Sequence, residues 1–282
     1  MGNKDKKVKL SIIVLVGNEE NLIQSCLESC KFADENILVM ANSTSKIKEI
    51  AQKIIPKIKI TETLDEYNKN FSKWRNMGYE MATGEWVLYI DVDEVVTVDL
   101  QNEILQIIKN YELRITNYAI PRANYFLGKR VRHGNSYPDY VKRLFLRKSF
   151  SGYEGILHEE PKITGEMGYL KNDLLHYTHR DLSSMLDKTN NWTDMEAQAL
   201  FEAHHPPVYW WRFPRMMMTK FWERAVMQKM WKDGTVGWIS IIFEMFDTFV
   251  IYAKLWELQQ SNPSVPVDTG TPPLDRARSN QF

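Results

Sequence analysis

Three carboxylates fall within four residues at the end of an apolar run. The run Trp86 to Ile90 is followed by Asp91, Asp93 and Glu94, after which apolar residues resume at once. In an extended segment residues i and i+2 point the same way, so Asp91 and Asp93 can face one cation. Hard oxygen ligands suit Mg²⁺ or Mn²⁺, which also bind substrate phosphates. The alternative is a solvated turn after a strand, and the tripeptide alone does not decide between the two.

Basic, aromatic and acidic residues are concentrated in the middle of the chain. Lys142 and Arg143 have the charge to neutralise a metal-bound diphosphate. Glu159 is the candidate general base, with Asp139 and Glu160 as alternatives. The competing interpretation is that these are exposed strand residues and surface acids.

His176 follows the apolar pair Leu174-Leu175. A histidine in this position is either a metal or phosphate ligand, or a packed and hydrogen-bonded side chain. Both interpretations stay open at the level of the sequence.

The elements that must position these residues alternate between strand and helix. Strands are predicted at 8–16, 35–41, 57–61 and in the run that ends at Ile90, with helices between them, including 45–55 and 71–82. This alternation predicts a parallel sheet with helices on both faces. Ligands bind outside the carboxyl ends of such strands, where Asn18, Asp91 and Asp93 fall.

The rest of the chain indicates two further regions. Residues 115–180 are less regular, with short strand-like pieces typical of loops that carry chemistry. We therefore expect a catalytic domain over 1–180, a helical region over 181–260 and a Pro/Ser/Thr-rich disordered tail over 261–282.

Composition excludes some classes of protein. The chain has 36 basic and 36 acidic residues, and a neutral chain argues against a nucleic-acid binder. Its two cysteines, Cys26 and Cys30, are too few for a zinc site and are expected to be small core residues. No secretory signal opens the sequence, so we expect a cytoplasmic protein.

Two C-terminal segments have compositions that are relevant to membrane contact. The apolar stretch 236–255 contains Glu244 and Asp247, which are costly in lipid, so we do not expect it to span a bilayer. Segment 209–234 interleaves Trp and Met with Arg and Lys, a composition typical of peripheral contact with a membrane surface. The alternative for 209–234 is a packed helical appendage with a solvated basic face.

Taken in order, the motifs resemble family 2 glycosyltransferases of the GT-A fold, in particular their lipopolysaccharide core β-1,4-glucosyltransferase branch. The matching pieces extend over about residues 8–240, and they are SIIVLVGNEENLIQSCLES, RNMGYEMATGEWVLYIDVDEVV, YPDYVKRLFLRK, ILHEEPKITGEMGYL, LLHYTHR and KDGTVGW. The resemblance implies a Rossmann-like, mostly parallel sheet flanked by helices, with a helical C-terminal extension.

The resemblance also implies ligands and roles. It implies a nucleotide-sugar donor, expected to be a UDP-sugar, and a saccharide or glycolipid acceptor at the inner face of a membrane. By this resemblance Asn18, Glu19 and Asn76 contact the nucleotide, Asp91 and Asp93 form the metal motif, and His158-Glu159 and His176 match later motifs.

One segment departs from the family pattern. Met40 and Ser45 stand where the family usually has two acids that grip the nucleoside. We expect an inverting, metal-dependent hexosyltransferase. The alternative is a degenerate, non-catalytic glycan-binding or scaffold protein at the membrane. A nucleotidyltransferase is disfavoured, because no Gly-rich phosphate loop follows the first strand.

Overall fold

The computed structural model describes residues 9–63, 70–110, 114–134, 136–155, 159–179 and 181–261. The chain divides into two compact units. Residues 1–130 with 136–178 are here called the sheet unit, and residues 131–135 with 179–282 the helical unit. All of the predicted tail except its first residue lies outside the described residues.

The first half of the sheet unit alternates strands with helices, as the hydrophobic runs predict. Its elements are β1 (Leu10–Val16), α1 (Glu20–Cys30), β2 (Glu35–Ala41), α2 (Ser45–Ile54), β3 (Lys59–Thr63), α3 (Phe71–Met81) and β4 (Trp86–Asp91). The strands run parallel in the order β3-β2-β1-β4. Parallel neighbours require crossover connections, which the helices supply.

The second half of the sheet unit is built mainly of strands. Its elements are β5 (Glu94–Val96), α4 (Val98–Asn110), β6 (Ile115–Phe126), β7 (Lys129–Arg130), β8 (Asp139–Leu146), a 3₁₀ turn (Arg147–Ser149), β9 (Phe150–Glu154), β10 (Glu160–Ile163), β11 (Glu166–Tyr169) and β12 (Leu174–His179). The sheet continues past β4 as β8-β6-β12-β5, while β9 and β10 pair separately. The predicted α/β class is confirmed as a mixed sheet with a parallel N-terminal half. The middle of the chain contributes paired strands where the sequence indicated an irregular region.

Strand β1 is buried on both faces, which explains its continuous apolar sequence. Successive side chains face opposite sides of a sheet. Ile12 packs in the core that includes α1, α2 and α4, and Ile13 packs in the core that includes α3. Burying one such side chain contributes about 1.5–3 kcal/mol. Cys26 and Cys30 are unpaired and buried in the first core, so their predicted role as small core residues is confirmed.

Helix α3 packs closely on the sheet because of a glycine. A Cβ at Gly78 would lie 2.5 Å from Ile13 Cγ2 and 2.9 Å from Val39 Cγ2, so a larger residue would push the helix away. The helix begins after Asn70, whose side chain accepts a hydrogen bond from a backbone N–H of the first turn. The close packing brings Arg75, one turn before the glycine, against the sheet.

The helical unit consists of α5 (Leu182–Glu202), α6 (Arg212–Phe221), a π-helical turn (Trp222–Met227), a 3₁₀ turn (Met230–Asp233) and α7 (Thr235–Ser261). Helix α7 packs against both α5 and α6. Two small apolar clusters hold the unit together, one around Leu255 and one around Ile241. Asp233 fixes the segment 131–134 by accepting hydrogen bonds from the backbone N–H groups of Arg132 and His133.

Helix α7 contains the apolar stretch 236–255, which the sequence led us to expect would not span a bilayer. Among the described residues, α7 is the one helix that is both long enough and apolar enough to cross a membrane. The core helix of a soluble protein meets the same two criteria. Length and composition therefore do not distinguish a membrane-spanning helix from a core helix at α7.

Candidate active site

The carboxyl edge of the parallel strands brings the predicted acids close to the antiparallel half. Asp91 ends β4 beside the end of β1. Val92 and Asp93 then form a turn, and β5 pairs with β12 so that Glu94 lies opposite His176. The chain is therefore not extended through Asp93, and strand alternation does not place the two aspartates on one face.

Asp91, which is partly buried, pairs with two buried arginines in a cluster of ion pairs. One carboxylate oxygen accepts a hydrogen bond from Arg75 Nη2 at 3.0 Å, and the other accepts one from Arg143 Nη2. The two arginine side chains are 4% and 7% exposed. Burial disfavours the charged form of Asp91, but Arg143 and Arg75 outweigh it and hold the pKa of this carboxyl well below its usual range. The charge of Asp91 is thus balanced by the protein itself.

Glu94 extends this cluster into the core. Its fully buried carboxylate accepts hydrogen bonds from Arg143 at 3.0 Å and from the backbone N–H of Asp91 at 2.9 Å. Arg122 Nη1 lies 3.6 Å from the same carboxylate. An unpaired charge in such a place would cost several kcal/mol, so these contacts fix the end of β4.

Asp93 lies in a more open environment. Its carboxylate is 3.5 Å from His176 Nε2, and the Asp93 side chain is 21% exposed. The other ring nitrogen, Nδ1, is 2.6 Å from Asn124 Oδ1. The Asn124 amide group donates to Asp139 and to the carbonyl of Ser136, which directs its oxygen towards the histidine. Because an amide oxygen only accepts, Nδ1 carries the proton and Nε2 faces Asp93.

Two of the three candidate bases, Glu159 and Asp139, are held by arginines. Glu159 Oε1 lies 3.3 Å from Arg75 Nη2, and the Glu159 side chain is 22% exposed. Asp139 Oδ2 lies 2.6 Å from Arg122 Nη2. The residue before Glu159, His158, lies outside the described residues. Their catalytic roles stay predictions.

The two predicted phosphate contacts differ in exposure. Lys142 is 45% exposed and pairs with the exposed Glu160 at 2.7 Å. Arg143 is buried and bound to Asp91 and Glu94. Lys142 is therefore the freer of the two cations to meet a ligand.

The predicted nucleotide contacts lie at other points of the sheet unit. Asn18 is exposed after β1, and Glu19 accepts a hydrogen bond from the Gly17 N–H at 2.9 Å. Asn76 exchanges two hydrogen bonds with the backbone of Tyr153 and borders a cavity of about 550 Å³ between α3 and β9. In the described part of the chain, no hydrogen bond or ion pair links Asn18 or Glu19 to the two aspartates. Contact with a nucleotide stays a prediction for all three.

Sequence reasoning missed several residues of this site. Arg75 occupies the buried face of α3 at the i, i+3 spacing from Gly78, where an apolar residue is the norm. Arg122 and Asn124 share one face of the largely buried strand β6 at the i, i+2 spacing. A charged or amide side chain at core spacing was the available signal in each case.

Asp93 and His176 fit a divalent cation as neighbouring ligands. His176 Nδ1 donates a hydrogen bond to Asn124 Oδ1, the kind of contact found behind metal-binding histidines, and Nε2 lies 3.5 Å from the Asp93 carboxylate. No cluster of three or more His, Cys, Asp or Glu side chains that could hold a metal occurs among the described residues. Water and substrate oxygens would therefore complete the coordination, as Mg²⁺ commonly requires. Asp91 fits less well, because two arginines already hold its oxygens.

The fold and the candidate site are typical of α/β enzymes, a class that binds ligands at the carboxyl edge of a parallel sheet. Residues 11–171 match the family model described as "Glycosyl transferase family 2". The chain therefore belongs to glycosyl transferase family 2. Membership confirms the resemblance seen in the sequence and the GT-A fold class that it implies.

Relatives of the chain are also glycosyltransferases. A protein of Rickettsia conorii described as an uncharacterized glycosyltransferase is 23% identical over 92% of this chain and 93% of its own length. The lipopolysaccharide core biosynthesis glycosyltransferase LpsC of Rhizobium meliloti is 22% identical, over 89% of this chain and 93% of its own.

Two solved structures are similar in fold. The mannosyltransferase PcManGT of Pyrobaculum calidifontis, solved with GDP-Man and Mn²⁺, has a TM-score of 0.46 at 12% identity and covers 91% of this chain and 88% of its own. S. aureus TarS in complex with UDP-GlcNAc has a TM-score of 0.45 at 14% identity and covers 88% of each chain.

Proposed function

We propose that this glycosyltransferase moves a hexose, with inversion, from a nucleotide-sugar donor to a hydroxyl of a saccharide acceptor. The observation that carries the proposal is the Asp93–His176 pair, held by Asn124 at the carboxyl edge of the sheet beside the arginine cluster. We propose a UDP-sugar as the donor. TarS, solved with UDP-GlcNAc, has this kind of donor in its complex.

Asp93 and His176 are the residues that would hold Mg²⁺ or Mn²⁺ together with the donor diphosphate. The cation would stabilise the negative charge that develops on the leaving diphosphate. Asp91 stays beside them as the partner of Arg75 and Arg143, which keeps the turn that carries Asp93 in place. Lys142 approaches the diphosphate from the exposed side of β8.

Glu159 removes the proton from the acceptor hydroxyl. The acceptor oxygen then forms a bond to the anomeric carbon while the bond from that carbon to the phosphate oxygen breaks on the opposite face. The electron pair leaves with the nucleoside diphosphate, and the proton stays on Glu159. Arg75 orients the carboxylate through its contact at 3.3 Å. Asp139 is the alternative base, although its carboxylate pairs with Arg122 and accepts a hydrogen bond from Asn124.

A lipid-linked saccharide, similar to the core of lipopolysaccharide, is the proposed acceptor. The relative named for lipopolysaccharide core biosynthesis supports this class of acceptor. Such an acceptor would place the enzyme at the cytoplasmic face of a membrane, which is the location expected from the sequence.

One observation favours a second candidate, a glycan-binding protein without activity. Met40 is 3% exposed and packs in the core at the end of β2, at a position where the family usually has an acid. Thermal shift with a panel of UDP-, GDP-, CDP- and dTDP-sugars and Mn²⁺ separates the two functions. Stabilisation that requires both ligands supports the enzyme, and no response to any nucleotide supports the second candidate.

The catalytic proposal is tested by Glu159→Gln with Glu160→Gln as a matched control. We expect metal-dependent turnover of the accepted nucleotide sugar to fall about 10²–10⁴-fold for Glu159→Gln, the usual contribution of a general base. Donor affinity should be unchanged, because Glu159 acts on the acceptor. Glu160→Gln should turn over normally. Full turnover by Glu159→Gln would assign the base to Asp139, or to Glu160 if Glu160→Gln is the variant that loses turnover.

A further inference from the structure

Helix α7 carries a continuous apolar stripe that its own unit leaves uncovered. The side chains that form the stripe are 40–64% exposed, and they are Trp238, Ile242, Phe246, Phe249 and Trp256. At 3.6 residues per turn and 1.5 Å per residue, they fall within an arc of about 80° along roughly 27 Å of helix. Soluble monomers rarely expose a contiguous apolar surface of this length.

The two acids in the middle of α7 point away from this stripe. Glu244 pairs with Arg224, and Asp247 accepts a hydrogen bond from Thr189 at 2.7 Å, so both carboxylates face the interior of the helical unit. Burial raises the pKa of both. The two residues that disfavour a membrane-spanning helix in the sequence therefore lie off the stripe, and Glu257 is the exposed acid at its C-terminal end.

Helix α6 and the π-helical turn present a second exposed stripe. None of the α6 residues is buried, and Trp211, Arg215, Met218 and Trp222 follow one another at helical spacing on the exposed side. Arg215 lies over the Trp211 ring, 5.7 Å from its centroid. The rings of Phe213 and Phe249 are 5.6 Å apart, so this helix borders the α7 stripe.

Unpaired cations accompany these apolar side chains. Arg215, Lys229 and Lys232 have no carboxylate partner within the described part of the chain. Lys232 instead lies over the Trp231 ring at 5.9 Å. Tryptophan beside lysine or arginine suits a boundary between acyl chains and anionic headgroups, because each side chain has an apolar body and a polar end. A second copy of the chain would bring like charges together, which disfavours self-association.

We infer that the helical unit binds the surface of a bilayer that contains anionic lipid, with the α6 and α7 stripes in the interface and the cations at the headgroups. The helices lie in the interface and do not cross the bilayer, because α7 packs its acid-bearing face on α5 and α6. This inference does not depend on the proposed transfer reaction.

The test is co-sedimentation of the full chain with phosphatidylcholine vesicles, with and without phosphatidylglycerol. Binding should require phosphatidylglycerol and weaken with salt. Arg215→Glu/Lys232→Glu should weaken it by at least about 25-fold, from roughly fivefold per cation lost. Trp222→Ala/Ile242→Ala should weaken it about tenfold or more, because exposed apolar area is lost.

Matched controls come from exposed residues of the sheet unit. Lys109→Glu/Lys148→Glu and Val98→Ala/Tyr169→Ala change the same kinds of side chain and should bind vesicles as wild type. Thermal melting of every variant checks that it is folded, and nucleotide-sugar turnover reports separately on the proposed function.

Three results would overturn the inference. One is equal binding by wild type and both helical-unit variants. Another is retention on vesicles after an alkaline carbonate wash, which would indicate a spanning helix. The last is a dimer in gel filtration that Trp222→Ala/Ile242→Ala dissociates, without any vesicle binding.

Discussion

Asp91 and Asp93 are two residues apart, yet they lie in opposite environments. Asp91 is held by two buried arginines, and its pKa is lowered because those arginines outweigh burial. Asp93 follows in a turn, has no arginine partner among the described residues and faces His176 at 3.5 Å. The first carboxylate belongs to the framework of the sheet, and the second is available to a ligand.

This difference shows that the members of an acidic pair need not share one task. An ion that binds at Asp91 would have to compete with two guanidinium groups already in contact. An ion that binds at Asp93 would meet a carboxylate and an imidazole nitrogen instead. We therefore expect substitution of Asp91 to lower mainly the stability of the fold and substitution of Asp93 to lower mainly the activity.

The largest expected effect is on stability, from Asp91→Asn. Loss of one charge leaves Arg75 and Arg143 incompletely paired in a buried place, so we expect the free energy of unfolding to fall by about 3 kcal/mol or more. The matched variant Asp93→Asn should lose less than about 1 kcal/mol. Urea unfolding of both measures the difference. Equal shifts would mean that both aspartates have the same structural role.

A smaller effect is expected from Asn124→Ala, on the Asp93 side of the comparison. The variant removes the acceptor that fixes the tautomer of His176, so the Mn²⁺ concentration for half-maximal turnover should rise about tenfold. The melting temperature should also fall, because Asn124 is buried and hydrogen-bonded to Asp139 and to the Ser136 carbonyl, so turnover is compared on folded protein. The exposed Asn102→Ala serves as the control. An unchanged Mn²⁺ requirement would separate His176 from the cation.

The smallest effect concerns Glu244, a partly buried carboxylate at which burial and charge pairing act in the opposite balance to that at Asp91. Burial outweighs its contact with Arg224 and raises the Glu244 pKa, with Lys220 and Glu223 as further charged neighbours. The folded state thus holds this proton more tightly than the unfolded state. The stability contributed by the protonated Glu244 is fully present below the pKa of the unfolded state. It is lost as the pH rises through the pKa of the folded state.

Stability of wild type relative to Glu244→Gln should therefore fall as pH rises above about 4.5, by at most about 1.4 kcal/mol per pH unit. Urea unfolding between pH 4 and 7 measures this difference. A difference that grows with pH would show that pairing with Arg224 outweighs burial, as at Asp91.

Much of the parallel half was predictable, because strands buried on both faces are continuous β-branched runs. The antiparallel half was not, because its partners are far apart in sequence: β4 and β5 pair with strands that begin at Asp139 and Leu174. No local periodicity encodes such pairing.

The candidate site was predictable in its acids and less so in their partners. The sequence identified Asp91, Asp93 and His176. It predicted the same role for both aspartates, because the chain was expected to be extended there. A turn at Val92 and Asp93 breaks that equivalence. Arg75 was missed because its pairing with Asp91 depends on the docking of α3, which only three-dimensional packing reveals.

Binding of Mn²⁺ by wild type and Asp93→Asn, followed by the electron paramagnetic resonance signal of free Mn²⁺, tests the central claim most directly. Titrations are made without nucleotide and with each of UDP, GDP, CDP and dTDP. We predict that, beyond the Mn²⁺ bound by the nucleotide alone, wild type removes Mn²⁺ from solution only with a nucleoside diphosphate present, and that Asp93→Asn does not. Equal uptake by the two proteins would contradict the assignment of the cation to Asp93.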